Sequence, residues 1–126
     1  MRFIPTYVHG IVDYIAGIVL IAAPWLFGFA GDNFATWIPV AAGVVMIAAS
    51  LFTDYELGMV RRIPMSTHLA MDAFLGLFLA ASPWLFQFYE LVWVPHVVLG
   101  ITEFIGALTT ETSPTGRRAG SHFGMG

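Results

Sequence analysis

The stretch 2–29, RFIPTYVHGIVDYIAGIVLIAAPWLFGF, returns at 61–88 as RRIPMSTHLAMDAFLGLFLAASPWLFQF. A shift of 59 residues superposes the two with identity at thirteen of 28 positions. Among them are Pro5 with Pro64, His9 with His68, Asp13 with Asp72, Gly17 with Gly76, Pro24 with Pro83 and Trp25 with Trp84. Downstream the match is looser. Trp37-Ile38-Pro39 meets Trp93-Val94-Pro95, and with one residue inserted Gly43 meets Gly100 and Thr53-Asp54 meets Thr110-Glu111. The chain therefore divides into a first two-helix repeat, 1–58, a second, 59–112, and a tail, 113–126.

Composition says what surrounds these repeats. The 126 residues are 58% hydrophobic and 10% charged, against about 25% charged in an ordinary soluble domain. A small chain has too much surface to cover with so few charges, so its apolar excess must face lipid. Four apolar stretches, 7–23, 37–52, 65–81 and 93–108, read as transmembrane helices, each near the short end of the ~17–25 residues that a bilayer needs. Pro24 and Pro83 are expected to close the first and third, and Pro39 and Pro95 to sit in the opening turn of the second and fourth. The fold class is all-α, a polytopic membrane protein of four helices in two tandem hairpins.

The basic residues orient it. Arg2, Arg61, Arg62, Arg117 and Arg118 are the only ones, and they lie in the N-terminus, the central loop and the tail. The connections 28–36 and 87–92 carry Asp32 and Glu90 but no Arg or Lys. The positive-inside rule places both termini and the central loop in the cytoplasm, with the chain multi-pass in an inner (plasma) membrane. Trp25, Trp37, Trp84 and Trp93 fall on the two short connections and read as interface anchors on the opposite face. Because each repeat has two spans, both insert the same way up. The repeat is parallel, with its pseudo-twofold axis along the membrane normal. The first segment carries His9 and Asp13 within its apolar run, which argues for a retained helix rather than a signal peptide. The tail, with His122, lacks an apolar pattern and is expected to be disordered or held by a partner.

Ionisable groups within a span are costly and face the protein interior. His9, Asp13 and Gly17 stand at i, i+4 and i+8, one stripe on the first helix, and His68, Asp72 and Gly76 repeat it on the third. The duplication sets the two stripes at equal depth, facing inward across the axis. On the fourth helix His96, Gly100, Glu103, Ala107 and Thr110 are spaced to share a face; Glu103 has no counterpart, since Met46 aligns with it. Glu103 lies about 12 Å along the axis from Glu111, a depth that matches Asp13 and Asp72. Gly17, Gly76, Gly43 and Gly100 read as close-packing positions between helices.

Three roles compete for His9, Asp13, His68, Asp72 and Glu103. They can fasten the hairpins through interhelical hydrogen bonds, hold a divalent metal such as zinc, iron or manganese, or relay protons or an ion in a small transporter. Fastening is the leading reading. A pair of histidines at equal depth also raises axial haem ligation, but each is followed one turn later by an aspartate and no haem is expected. Cysteine is absent, which removes thiolate chemistry and disulfides.

Ala23-Pro24-Trp25-Leu26-Phe27-Gly28-Phe29 and Ser82-Pro83-Trp84-Leu85-Phe86-Gln87-Phe88 each end a helix opened by His-x3-Asp. In this the chain resembles the SPW-repeat membrane proteins, over roughly residues 2–112. The resemblance implies a membrane protein of two-helix repeats, with a Ser-Pro-Trp triplet in the first helix of each. Ala23 departs from that triplet. No activity comes with the resemblance, and no nucleotide loop, nucleophile elbow or zinc-protease pattern is present. The expectation is a non-enzymatic interaction or accessory subunit of a homo-oligomer or larger membrane complex, partnered by lipid and not by nucleic acid. It is expected to have no cofactor. The alternative is a metal- or proton-handling transport protein with a divalent metal at the His/Asp/Glu group.

Overall fold

The computed structural model describes residues 2–114; Arg117, Arg118, His122 and all of the tail beyond 114 lie outside the described residues. Among the described residues there are four helices: α1 (Thr6–Leu26), α2 (Phe34–Leu51), α3 (Met65–Leu85) and α4 (Val94–Thr109). The first three are long and apolar enough to cross a membrane, and the 16-residue α4 is a shorter apolar helix. The 21 residues of α1 and α3 rise about 32 Å, close to the ~30 Å of a hydrocarbon core. This is a four-helix membrane protein.

α1 packs on α2 and α3 on α4, and the two hairpins meet along α2–α3 and α1–α4, so that α1 and α3 stand on a diagonal. Within each hairpin two glycines meet. A Cβ on Gly43 would lie 2.5 Å from the Gly17 carbonyl oxygen, and one on Gly100 would lie 2.5 Å from that of Gly76. The four glycines are thus taken up inside the hairpins, as small residues are at close helix crossings in membranes. The apolar core between the hairpins is built from Leu20, Ala42, Met46 and Leu79.

At the end of the bundle opposite the tryptophans the chain closes into a ring. Ile4 forms a parallel bridge with Thr110, and Ile63 forms the equivalent bridge with Thr53. Pro5 and Pro64 then lead into α1 and α3 in nearly the same conformation, φ −61° and −60°. Their carbonyls accept the amides of His9 and His68, at 3.1 and 3.0 Å. Arg2 reaches the last turn of α4, where its guanidinium donates to the Ala107 and Thr110 carbonyls at 2.9 and 2.7 Å. A cation at the negative end of the helix dipole is favourable there.

Three prolines sit differently from expectation. Pro24 and Pro83 do not close their helices; both lie inside them, and α1 and α3 run on to Leu26 and Leu85. A proline removes its own amide but leaves its carbonyl free. The Pro24 carbonyl accepts the amides of Phe29 and Ala30, and that of Pro83 accepts Phe88 and Tyr89. The backbone turns left-handed between, at Gly28 (φ 76°) and Gln87 (φ 58°), which is the Schellman way of ending a helix. Pro39 is not in an opening turn either. The Asn33 side chain accepts the Thr36 amide at 3.1 Å, and this cap starts α2 at Phe34. Pro39 therefore stands in the second turn.

Each internal proline deprives the carbonyl four residues back of its donor, and in a bilayer no water replaces it. Two substitutes are visible. The Ser82 hydroxyl donates to the Leu79 carbonyl freed by Pro83, at 2.7 Å. His96 Nε2 on α4 donates to the Ala35 carbonyl freed by Pro39, at 2.9 Å.

A methyl group at the glycine contact has nowhere to go, since at Gly100 it would also meet the Ala80 amide nitrogen at 2.6 Å. Gly100→Ala is expected to destabilise the protein by about 1–3 kcal/mol, the usual range for overpacking. The measurement is the midpoint of unfolding in a dodecyl sulfate titration from mild micelles, where an unchanged midpoint would contradict the packing described.

Candidate functional site: a buried histidine–aspartate centre

The i, i+4 spacing puts His9 over Asp13 on α1 and His68 over Asp72 on α3, one to two turns into each helix. The diagonal placement of these helices turns the stripes towards one another. All four side chains are buried, at 4, 0, 0 and 1% exposure in chain order. The short contacts cross between repeats: His9 Nε2 lies 2.8 Å from Asp72 Oδ2, and His68 Nε2 lies 2.7 Å from Asp13 Oδ2. Longer contacts run along each helix, His9 Nε2 to Asp13 Oδ1 at 3.2 Å and His68 Nε2 to Asp72 Oδ2 at 3.1 Å. The two imidazoles stand edge to face with centroids 5.8 Å apart.

The other ring nitrogens settle the tautomer. His9 Nδ1 is 2.8 Å from the Thr110 hydroxyl, and His68 Nδ1 is 2.8 Å from that of Thr53. Each hydroxyl gives its one hydrogen to a carbonyl in its own helix, Thr110 to Gly106 and Thr53 to Ala49, both at 2.6 Å. A hydroxyl whose hydrogen is already donated can only accept. Both Nδ1 atoms therefore carry hydrogen and donate to threonine. Each Nε2 then faces carboxyl oxygens, and a short N···O contact there requires a positive charge or a proton between the two atoms. Two protons with two carboxylates and two imidazoles make a neutral centre, whichever atom holds each proton.

Around the centre the symmetry lapses. Glu103 is 4% exposed and sits within electrostatic reach of Asp13 and Asp72. Its Oε2 has no hydrogen-bond partner, and neither has Asp13 Oδ1. Met46, which aligns with Glu103, is buried in the apolar core instead. Tyr55, in the connection between α2 and α3, covers one flank. It is fully buried, its ring centroid is 5.8 Å from that of His68, and it fills the space a side chain at Gly10 would need. Burial pushes its phenol pKa above the ordinary value. Beside it Thr6 donates to the Glu56 carboxylate at 2.6 Å.

Of the five residues read as candidates in the sequence, the structure gathers His9, Asp13, His68 and Asp72 into one group of donor atoms and sets Glu103 beside it. His96 shares the buried face of α4 with Glu103 but lies at the other end. There it is flanked by the repeat-related Phe29 and Phe88, with centroids at 5.4 and 4.9 Å. Nothing in composition or helical spacing points to the clamping role of Thr53 and Thr110. Their alignment between repeats was its one signal. Trp25 packs near Trp37 and Trp84 near Trp93, with centroids at 6.3 and 6.4 Å, and all four are exposed at one end of the bundle.

The SPW repeat domain matches residues 7–110. The chain belongs to the SPW-repeat family. Neither the curated proteins nor the solved structures contain a match to it. The match spans both repeats, and so includes both histidine–aspartate stripes and both threonine clamps. Within this SPW-repeat chain, the serine of the second triplet is the Ser82 that serves the carbonyl freed by Pro83, while Ala23 in the first has no hydroxyl to do so.

The crossed pairs should be energetically coupled. Interhelical hydrogen bonds in membranes average ~0.6 kcal/mol and reach ~1.7, and charge-assisted ones are the stronger kind. A double-mutant cycle of His68→Gln and Asp13→Asn, read by unfolding midpoint, is expected to give a coupling of about 1–2 kcal/mol. The repeat-related cycle of His9→Gln and Asp72→Asn should give a similar value. Additivity in both cycles would contradict the pairing.

Proposed function

We propose that the protein is a non-enzymatic accessory subunit of the inner membrane, joining a homo-oligomer or a larger membrane complex through its lipid-facing flanks. The observation that carries this reading is the closure of the polar centre. Its four members are buried and bonded to one another and to the two threonines, an arrangement suited to holding two hairpins together. What the molecule offers outward is apolar: Ile11, Ile15 and Ile18 on α1, Phe74 and Leu77 on α3, Val98 and Ile105 on α4. Such flanks suit lipid or the helices of another membrane subunit. Arg2, Arg61 and Arg62 at one end and the tryptophans at the other support an orientation with both termini cytoplasmic.

A second reading is a metal- or proton-handling transport role. The unpartnered Oε2 of buried Glu103, beside Asp13 and Asp72, is the observation that favours it. Ionisable groups within a span face the protein interior and often mark an ion or proton path.

Gentle purification from the native membrane separates the two. A stoichiometric membrane polypeptide, or a defined homo-oligomer, is expected with the wild type; a monomer without partners contradicts the accessory reading. Full biological activity in an Asp13→Asn/Asp72→Asn variant would count against ion handling. The cysteine-free chain also allows a direct test of orientation. Asp32→Cys and Glu90→Cys are expected to react with an impermeant maleimide from outside the cell, and Arg61→Cys only after lysis. The reverse pattern inverts the topology.

A further inference from the structure

The geometry points to a binding site for one divalent transition-metal ion at this centre, liganded by Nε2 of His9 and His68 and by the carboxylates of Asp13 and Asp72, with zinc as the best-matched ion. The inference rests on the reading of the centre as the fastening between the hairpins, and names what does the fastening.

The donor set comes first. One ligand atom from each of the four residues lies within 4.8 Å of all the others. The nitrogen–oxygen separations are 2.7, 2.8, 3.1 and 3.2 Å. A tetrahedral zinc with bonds of ~2.0–2.1 Å to nitrogen and oxygen needs donors about 3.3 Å apart. These contacts use both oxygens of Asp13 and one of Asp72, so an ion would open the short edges by a few tenths of an ångström and draw in the wider ones, which reach up to 4.8 Å across the four donors. Imidazole and carboxylate without thiolate fit zinc, iron(II) or manganese(II) rather than copper(I), and four protein ligands with no open position are the pattern of a structural site.

The threonines are the independent observation. By accepting from Nδ1, Thr53 and Thr110 fix the tautomer that leaves the Nε2 lone pair free for an ion. Histidines that ligate metals are oriented in this way, by a hydrogen bond from the nitrogen that does not bind. Both histidines have the same clamp, on repeat-related residues. Asp13 adds to this. Its Oδ1 has no hydrogen-bond partner in a residue of zero exposure, and it is aimed into the cluster 3.2 Å from His9 Nε2. An ion supplies that missing partner.

Charge completes the case. A divalent cation with two carboxylates and two neutral imidazoles sums to zero, which matters where low dielectric makes net charge costly. The ion takes the place of the two protons that otherwise lie between Nε2 and the carboxyl groups, so the centre is neutral in either form. Metal binding would join α1 to α3 directly and tie the two repeats at one point.

The test uses the full-length protein in lipid nanodiscs, stripped with a chelator and titrated with zinc against a chromophoric competitor, and separately with cobalt(II). Wild type is expected to take up about one zinc per chain and to show the visible absorption of four-coordinate cobalt. Asp13→Asn/Asp72→Asn should abolish both signals. Thr53→Val/Thr110→Val keeps every ligand and should weaken zinc affinity by roughly 10–100-fold. Folded wild-type protein that takes up neither ion overturns the proposal, as does zinc uptake undiminished in the aspartate variant. Thermal unfolding of the metal-free wild type against that variant reads the fastening by itself. A more stable metal-free wild type with no zinc uptake leaves the fastening intact and removes the ion. Equal stabilities with zinc uptake retained by wild type alone show an ion site that does not fasten.

Discussion

The contacts of His9 with Asp72 and His68 with Asp13, at 2.8 and 2.7 Å, join two helices that are not neighbours in the bundle. Elsewhere the hairpins meet side by side, α2 on α3 and α1 on α4. Between lipid and protein there is little hydrophobic reason for one apolar helix to prefer another over the bilayer, so packing and polar contacts decide. The rest of the structure follows from the diagonal. It fixes the angular setting of α1 and α3, which turns Gly17 towards Gly43 and Gly76 towards Gly100. It also requires the first turns of both helices to begin at the same depth, which the bridges of Ile4 with Thr110 and Ile63 with Thr53 provide.

A second constraint runs through the prolines. A bilayer does not tolerate an unpaired carbonyl, yet Pro24, Pro39 and Pro83 each lie within a helix. In two of these places the freed carbonyl has a donor from a side chain, Ser82 in one and His96 in the other. His96 is the more telling, because its donor comes from α4 and its ring is held between Phe29 and Phe88. The tryptophan end of the bundle therefore has its own polar tie, single where the histidine–aspartate tie is double. Duplicated chains can specialise one copy in this way. Glu103 opposite Met46, His96 opposite Val40 and Tyr55 with no aromatic counterpart are all departures from the twofold pattern, and His96, Glu103 and Tyr55 are all buried.

Much of this is legible in the amino-acid sequence. Four apolar runs, the even number of spans per repeat and the position of the arginines lead to four helices in two parallel hairpins, because lipid admits so few alternatives. The His-x3-Asp-x3-Gly stripes were legible too, since helical spacing alone puts them on one face and duplication alone gives them equal depth. The helix ends were not. Pro24 and Pro83 read as terminators because a proline lacks an amide, but their carbonyls remain, and the left-handed turn at Gly28 and Gln87 lets later amides reach them. Asn33 likewise moved the start of α2 back to Phe34 through a cap that hydropathy does not register.

Periodicity and composition by themselves determined the membrane setting, the duplication and the inward polar stripes, since each is a property of one helix or of the count of helices. Tertiary structure alone decided that the pairs cross, histidine of one repeat to aspartate of the other, and that Thr53 and Thr110 fix the tautomers. The physical reason is range. A helix carries its own i, i+4 contacts in its sequence, and these are the longer pair here, at 3.2 and 3.1 Å. The shorter pair depends on the distance and rotation between α1 and α3, which no single helix carries in its own sequence.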